Sequence, residues 1–253
     1  MGRLKEKEIC PIIMNFTDVY KNAKFCEDIS AKWLEVSKLQ GTNCYCDEEA
    51  QKNLYAIMQK EDVFGIHFID SGNYHYVSRL WLTYLEEPFV LIVFDNHTDM
   101  QPPAFGGLLS CGGWIASAVE ELEYLKKVIL IGPDEEAFSK VEKHIKEKTL
   151  FLSREQLRER TKEEKLTFLQ NISEGLPIYI SVDKDVLNEE AATTTWSQGD
   201  LSLEELKDFL IEMKQLYGDR ILGLDICGEA EDVEKNQKND KANGEILQIF
   251  STF

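Results

Sequence analysis

Two apolar runs constrain this chain more than anything else in it. Pro88-Phe89-Val90-Leu91-Ile92-Val93-Phe94 and Pro177-Ile178-Tyr179-Ile180-Ser181-Val182 are β-branched, aromatic or aliphatic at nearly every position, and each runs into an acidic cluster. A strand with one wet face alternates apolar and polar residues, whereas a strand buried on both faces reads as one continuous run. These two segments therefore belong in the middle of a parallel sheet covered by helices on both sides. Functional groups of such sheets collect at the carboxyl ends of the strands.

The acidic clusters stand at those ends. Asp95-Asn96-His97-Thr98-Asp99 follows the first run and Asp183-Lys184-Asp185 the second. Alternation along an extended chain sends Asp95, His97 and Asp99 to one side, and Asp183 and Asp185 can converge in the same way. A lone Asp-x-Asp at a strand end is common and carries little. Asp-x-His-x-Asp is more demanding, because burying such a set without a cation leaves carboxylates repelling one another in a low dielectric. Four carboxylates and an imidazole are too oxygen-rich for a closed structural zinc site. They suit hard or borderline divalent ions such as manganese. Two such ions roughly 3.5 Å apart would activate a shared water at neutral pH.

The rest of the chain fits an α/β reading. Strands are expected at about 9–14, 63–69, 89–95, 127–132, 149–152, 177–183 and 221–226. Helical spacing covers 113–126, 134–147, 154–170 and 202–217, with Tyr76 to Leu85 a further helix. Ser202 and Glu205 have the spacing of an N-terminal capping box. Residues 40–53 and 228–244 are polar and read as loose. A chain of 253 residues with no internal repeat or composition break is expected to form one domain over 1–253.

Composition narrows the partners. A formal charge of −18 argues against nucleic acid and anionic membrane, and favours a cationic substrate or simple solubility. Six scattered cysteines without the spacing of a zinc module, and no apolar segment resembling a signal peptide or membrane span, make cytoplasmic reduced thiols the expectation. Among the four histidines, His144 reads as a solvated surface residue, and His67 first as a core histidine and only second as a functional one. His75 follows the turn-like Gly72-Asn73-Tyr74 after a strand, where a ligand is expected. Trp114 and Trp196 read as core residues before pocket residues.

With His75, Asp95, His97, Asp99, Asp183 and Asp185 in that order, the chain resembles the ureohydrolase superfamily of arginase, agmatinase and formimidoylglutamase. The resemblance spans roughly residues 60–230. It rests on Gly72-Asn73-Tyr74-His75, Asp95-Asn96-His97-Thr98-Asp99, Ser181-Val182-Asp183-Lys184-Asp185, the Thr193–Ser202 loop and Gly223-Leu224-Asp225-Ile226. It implies a three-layer α/β/α sandwich with a mainly parallel sheet. It further implies a centre of two Mn2+ per chain, held by those six residues, which hydrolyses a guanidino or amidino C–N bond. Asp99 would be both ligand and the group that orients the attacking water and returns its proton to the departing nitrogen. The family is usually oligomeric, so a homo-oligomer is also implied.

Three departures bear on substrate. No histidine occurs between Met100 and Trp114, where arginases carry a proton shuttle. The family's guanidinium-binding glutamate falls at Gly228, leaving Glu229, one residue later, as the substrate-binding candidate. The Asp-Pro after the second acidic pair is replaced by Asn188-Glu189. Together with the Ser110–Ala118 segment, these move the expected substrate from free arginine toward a small guanidino compound or an arginine-containing peptide, as in peptide arginases. The alternatives are a non-catalytic metal-binding relative and, with less support because no adjacent histidines occur, a metal-dependent deacetylase.

Overall fold

The computed structural model describes residues 10–27, 29–102, 107–170, 172–231 and 236–251. Among these, the strands are β1 (Ile12–Asn15), β2 (Lys32–Glu35), β3 (Tyr45–Cys46), β4 (Ile66–Phe68), β5 (Phe89–Phe94), β6 (Leu109–Ser110), β7 (Leu125–Ile131), β8 (Thr149–Leu152), β9 (Ile178–Asp183) and β10 (Ile221–Cys227). The α-helices are α1 (Glu48–Met58), α2 (Val77–Leu82), α3 (Trp114–Glu121), α4 (Glu135–Ser139), α5 (Lys143–Lys146), α6 (Arg154–Glu159), α7 (Lys162–Phe168), α8 (Leu203–Tyr217) and α9 (Gln237–Phe250).

Eight strands form one sheet in the order β2-β1-β4-β10-β9-β5-β7-β8, and every neighbouring pair is parallel. The two continuous apolar runs, β5 and β9, lie side by side near its centre. Their alternation divides the core cleanly. Phe89, Leu91 and Val93 of β5 pack into the cluster that holds the buried faces of α1, α2, α3 and α5. Val90, Ile92 and Phe94 pack into the opposite cluster with α6, α8 and α9. The result is a three-layer α/β/α sandwich. A short antiparallel pair, β3 with β6, stands apart from the sheet.

Several boundaries differ from expectation, each for a physical reason. Residues 40–53 and 228–244, read as loose, contain the start of α1 and much of α9; 232–235 lie outside the described residues. Asp47 caps α1 by accepting from Ala50 N at 2.8 Å, and Ala50, Leu54 and Met58 line up on its buried face. The stretch 134–147 is two helices, α4 and α5. So is 154–170, because Thr161 and Glu164 form a new capping box that starts α7. The predicted capping box of Ser202 and Glu205 is present at the start of α8. Strand β2 lies outside the expected strands: only Leu34 of its four residues is buried, as befits a strand at the sheet edge.

Candidate metal centre

The face alternation that fills the core also builds the site. Continuing β5 beyond Val93 places Asp95 on the α1–α3 side, and β9 places Ser181 and Asp183 there after Tyr179. His75 arrives from the turn that precedes α2. Its Nδ1 lies 3.1 Å from Asp95 Oδ2, 3.1 Å from Asp99 Oδ2 and 3.6 Å from Asp183 Oδ2. His97 Nδ1 lies 2.8 Å from Asp185 Oδ2 and 3.6 Å from Asp95 Oδ1. The structure thus brings all six motif residues together: His75 with Asp99, and His97 with Asp185, form two adjoining sets that share Asp95, one carboxylate oxygen turned to each, and Asp183 joins through His75.

The spacing fits divalent ions. Donors bound to one ion at about 2.0–2.3 Å lie about 2.8–3.8 Å apart for angles between octahedral and tetrahedral, and the five distances above fall in that span. Two buried atoms at the junction, His75 Nδ1 and Asp95 Oδ2, have no hydrogen-bond partner among the described residues. Such orphaned atoms cost stability unless something binds them. Burial and the charge of Asp183 push the Asp185 carboxyl well up, and burial with Asp95 pushes Asp99 up to about 7. Burial works against a charged His97, yet Asp185 and Asp95 outweigh it and hold the imidazolium up to about 11. Those carboxylates repel one another and attract any cation in reach.

The surrounding contacts aim the donors. His75 Nε2 is 2.9 Å from Ser181 Oγ, so a proton donated there leaves the Nδ1 lone pair pointing at the carboxylates. His97 Nε2 is similarly 3.0 Å from Ser197 Oγ, on the loop after β9. Asp95 Oδ1 accepts from His97 N at 2.6 Å, Asp185 Oδ1 from Asn96 N at 2.9 Å, and Asp183 Oδ1 from Asp185 N at 2.9 Å. Asp99 sits in the left-handed region at φ 48°, a conformation that turns the chain so its carboxylate faces back toward His75. Trp114, fully buried at the start of α3, donates from Nε1 to Asp99 Oδ2 at 2.7 Å.

Ser197, Trp114 and Cys227 are contacts that the motifs did not single out as site residues. Trp114 is both core and site neighbour, which no spacing rule distinguishes. His67 is a satisfied core histidine, 2.8 Å from Asp225 Oδ1 and stacked on Trp81. His144 is half-exposed beside Glu120.

Glu229 is not brought to the cluster. Its carboxylate is buried on the far side of the strand end, paired with Lys184 Nζ and accepting from Asn239 Nδ2 at 2.9 Å and Asn243 Nδ2 at 2.8 Å. Gly228 explains the turn away. It has φ 88°, and a Cβ there would lie 2.7 Å from Lys184 N and collide with Asp183 Oδ1. No side chain fits at the position where the family's glutamate would stand.

Above the six residues opens a cavity of about 320 Å³, walled by Tyr45, Gln101, Ser110, Cys111 and Trp196 among others. Its described lining contains four aspartates and His97 but neither lysine nor arginine. Trp196 is 42% exposed at the rim, a pocket wall more than a core residue.

In this parallel α/β/α sandwich the central strand ends present two candidate donor sets that share one aspartate. A family model described as the Arginase family matches residues 25–242, and the chain belongs to that family. An uncharacterized protein of Thermotoga maritima is 30% identical over 240 residues, 94% of this chain and 88% of that protein. Among solved structures, formimidoylglutamase from Bacillus subtilis is similar with a TM-score of 0.70 at 13% identity, covering 98% of this chain and 88% of its own. Trypanosoma cruzi formiminoglutamase with Mn2+ is similar with a TM-score of 0.67 at 13% identity, covering 99% and 94%. No described helix is long and apolar enough to cross a membrane, and all six cysteines are free.

Proposed function

We propose that this chain is a two-ion hydrolase of a guanidino or amidino C–N bond, releasing urea when the substrate is a guanidine. The observation that carries this reading is the pair of donor sets sharing Asp95 beneath an acidic cavity. His75, Asp95, Asp99 and Asp183 would hold one ion, and Asp95, His97 and Asp185 the other. Manganese is the expected ion, given the oxygen-rich donors and the manganese-bearing relative. When bound, two such ions supply a nucleophilic water at neutral pH and neutralise charge that develops on the substrate.

The chain's own residues supply the remainder. Asp99, held by the Trp114 N–H, would accept the proton of the attacking water and pass it to the departing nitrogen. Trp196 offers an aromatic face at the mouth, suited to a cationic head group. The described lining has no lysine or arginine to form an ion pair with a substrate α-carboxylate. That favours amine-type guanidines, or arginine inside a peptide, over the free amino acid.

The test is urea release by the manganese-reconstituted protein from agmatine, arginine, simple guanidines and arginyl peptides, with Asp99→Asn as control. A rate that falls about 10²–10⁴-fold in the variant supports the reading. Ion binding without turnover of any guanidino or amidino compound would leave a non-catalytic metal protein instead.

A further inference from the structure

Cys227 ends β10 and stands in register with Asp183, the last residue of β9. It is fully buried, and its Sγ lies 3.2 Å from Asp183 Oδ2. A His75 nitrogen, an Asp183 oxygen and this sulfur all lie within 4.8 Å of one another. A sulfur at about 2.3 Å and an oxygen at about 2.1 Å from one ion are separated by about 3.1–3.6 Å, so the observed separation is that of two donors to one centre. A second observation points the same way: the buried His75 Nδ1, aimed into this cluster, has no hydrogen-bond partner among the described residues.

We infer that Cys227 is a thiolate ligand of the ion held by His75 and Asp183, and that it gives this half of the centre a preference for thiophilic divalent ions, such as zinc or cobalt, over manganese. The inference rests on the two-ion reading above and makes the two halves chemically unlike. The set of Asp95, His97 and Asp185 contains no sulfur and keeps the oxygen-rich character that suits manganese. On binding, the S–H bond breaks, a metal–sulfur bond forms and one proton passes to the buffer. The five other cysteines lie apart from this cluster or on the cavity wall, and alternation along β10 explains why this one does not: Leu224 and Ile226 enter the opposite core, while Asp225 and Cys227 face the α1–α3 side.

The experiment is an anaerobic titration of the chelator-stripped full chain with Co2+ alone, read by visible ligand-field bands and by near-ultraviolet sulfur-to-cobalt charge transfer. The expected result is a charge-transfer band in the wild type that is lost in Cys227→Ser while ligand-field bands persist. Proton release on binding falls by one per chain in the variant. The preference for zinc over manganese at the first site drops by roughly 10–100-fold, the scale on which even outer partners change metal affinity. Bound cobalt without charge transfer in the wild type overturns the inference alone and leaves Cys227 as a hydrogen-bond donor to Asp183. A band that survives in both Cys227→Ser and Cys227→Ala overturns it too, assigning the sulfur elsewhere. Failure to retain any cobalt removes the two-ion reading and this inference with it. Because the wild-type spectrum decides the first point, poor folding of a variant does not shield the inference.

Discussion

Stripping and restoring divalent ions tests the shared carboxylate most directly. Asp95 turns Oδ2 to the His75 set and Oδ1 to the His97 set, whereas Asp185 lies only in the second. An ion that binds the folded chain alone stabilises it by RT ln(1 + [L]/Kd), about 2.7 kcal/mol per site at a hundredfold excess over Kd. Two sites therefore add about 5.4 kcal/mol. For a chain of this size each kcal/mol moves the melting midpoint by about 2–4 °C, so saturating Mn2+ raises the wild-type midpoint by about 10–20 °C over the stripped protein. Asp185→Asn retains about half of that increment. Asp95→Asn, losing a donor from both sets, retains almost none. Differential scanning fluorimetry across a Mn2+ series measures all three. An Asp95→Asn protein that keeps the full wild-type increment would refute the shared-ligand geometry, and a wild type indifferent to every divalent ion would refute the site.

Three further perturbations separate the site from its supports. Glu229→Gln leaves the buried Lys184 cation without its anionic partner, and breaking such a pair costs about 3–5 kcal/mol; urea denaturation should show that loss, with KM unchanged at saturating metal. A raised KM at unchanged stability would return Glu229 to substrate binding. Trp114→Phe removes the donor to Asp99, a charge-assisted bond worth about 1.5–3 kcal/mol, so kcat should fall roughly ten- to a hundredfold; a loss of melting midpoint with kcat intact would reduce Trp114 to packing. Gly228→Ala forces a Cβ against Lys184 N at a left-handed φ and should cost about 1–3 kcal/mol of stability, read by the same denaturation.

Legibility in the sequence followed from how each element is buried. The central strands β5 and β9 declared themselves because both of their faces enter a core. The edge strand β2 did not, having one buried residue in four. Helix α9 hid for a different reason: Asn239 and Asn243 occupy its buried stripe beside Ala242, Ile246, Leu247 and Phe250, so the apolar period is broken where the two amides bind Glu229. Five of the six motif residues were readable because they sit in two short segments at neighbouring strand ends, and His75 because it opens the helix after a strand and a glycine turn. Trp114, Ser197 and Cys227 are single residues delivered by tertiary packing, and a periodicity carries no information about them.

Glu229 shows where counting along a chain stops being a guide to direction. One residue separates it from the position at which the family's glutamate stands, yet the left-handed backbone at Gly228 reverses which side of the strand end its carboxylate meets. There it pairs with Lys184, the residue lying between Asp183 and Asp185. The lysine is fully buried and also donates to Asn243 Oδ1 at 2.9 Å. This buried pair ties the second acidic motif to α9 from behind, so the carboxylate that would have faced the substrate instead braces the two aspartates that face the cavity. A cationic head group entering that cavity then meets aromatic walls, with no glutamate from β10 to fork its guanidinium. Weaker discrimination among guanidino compounds follows: agmatine, a simple guanidine and an arginyl peptide should differ in kcat/KM by less than the 10⁴–10⁵-fold that a dedicated hydrogen-bonding site imposes, and a measured preference of that size for one of them would show that another group has taken over the glutamate's part.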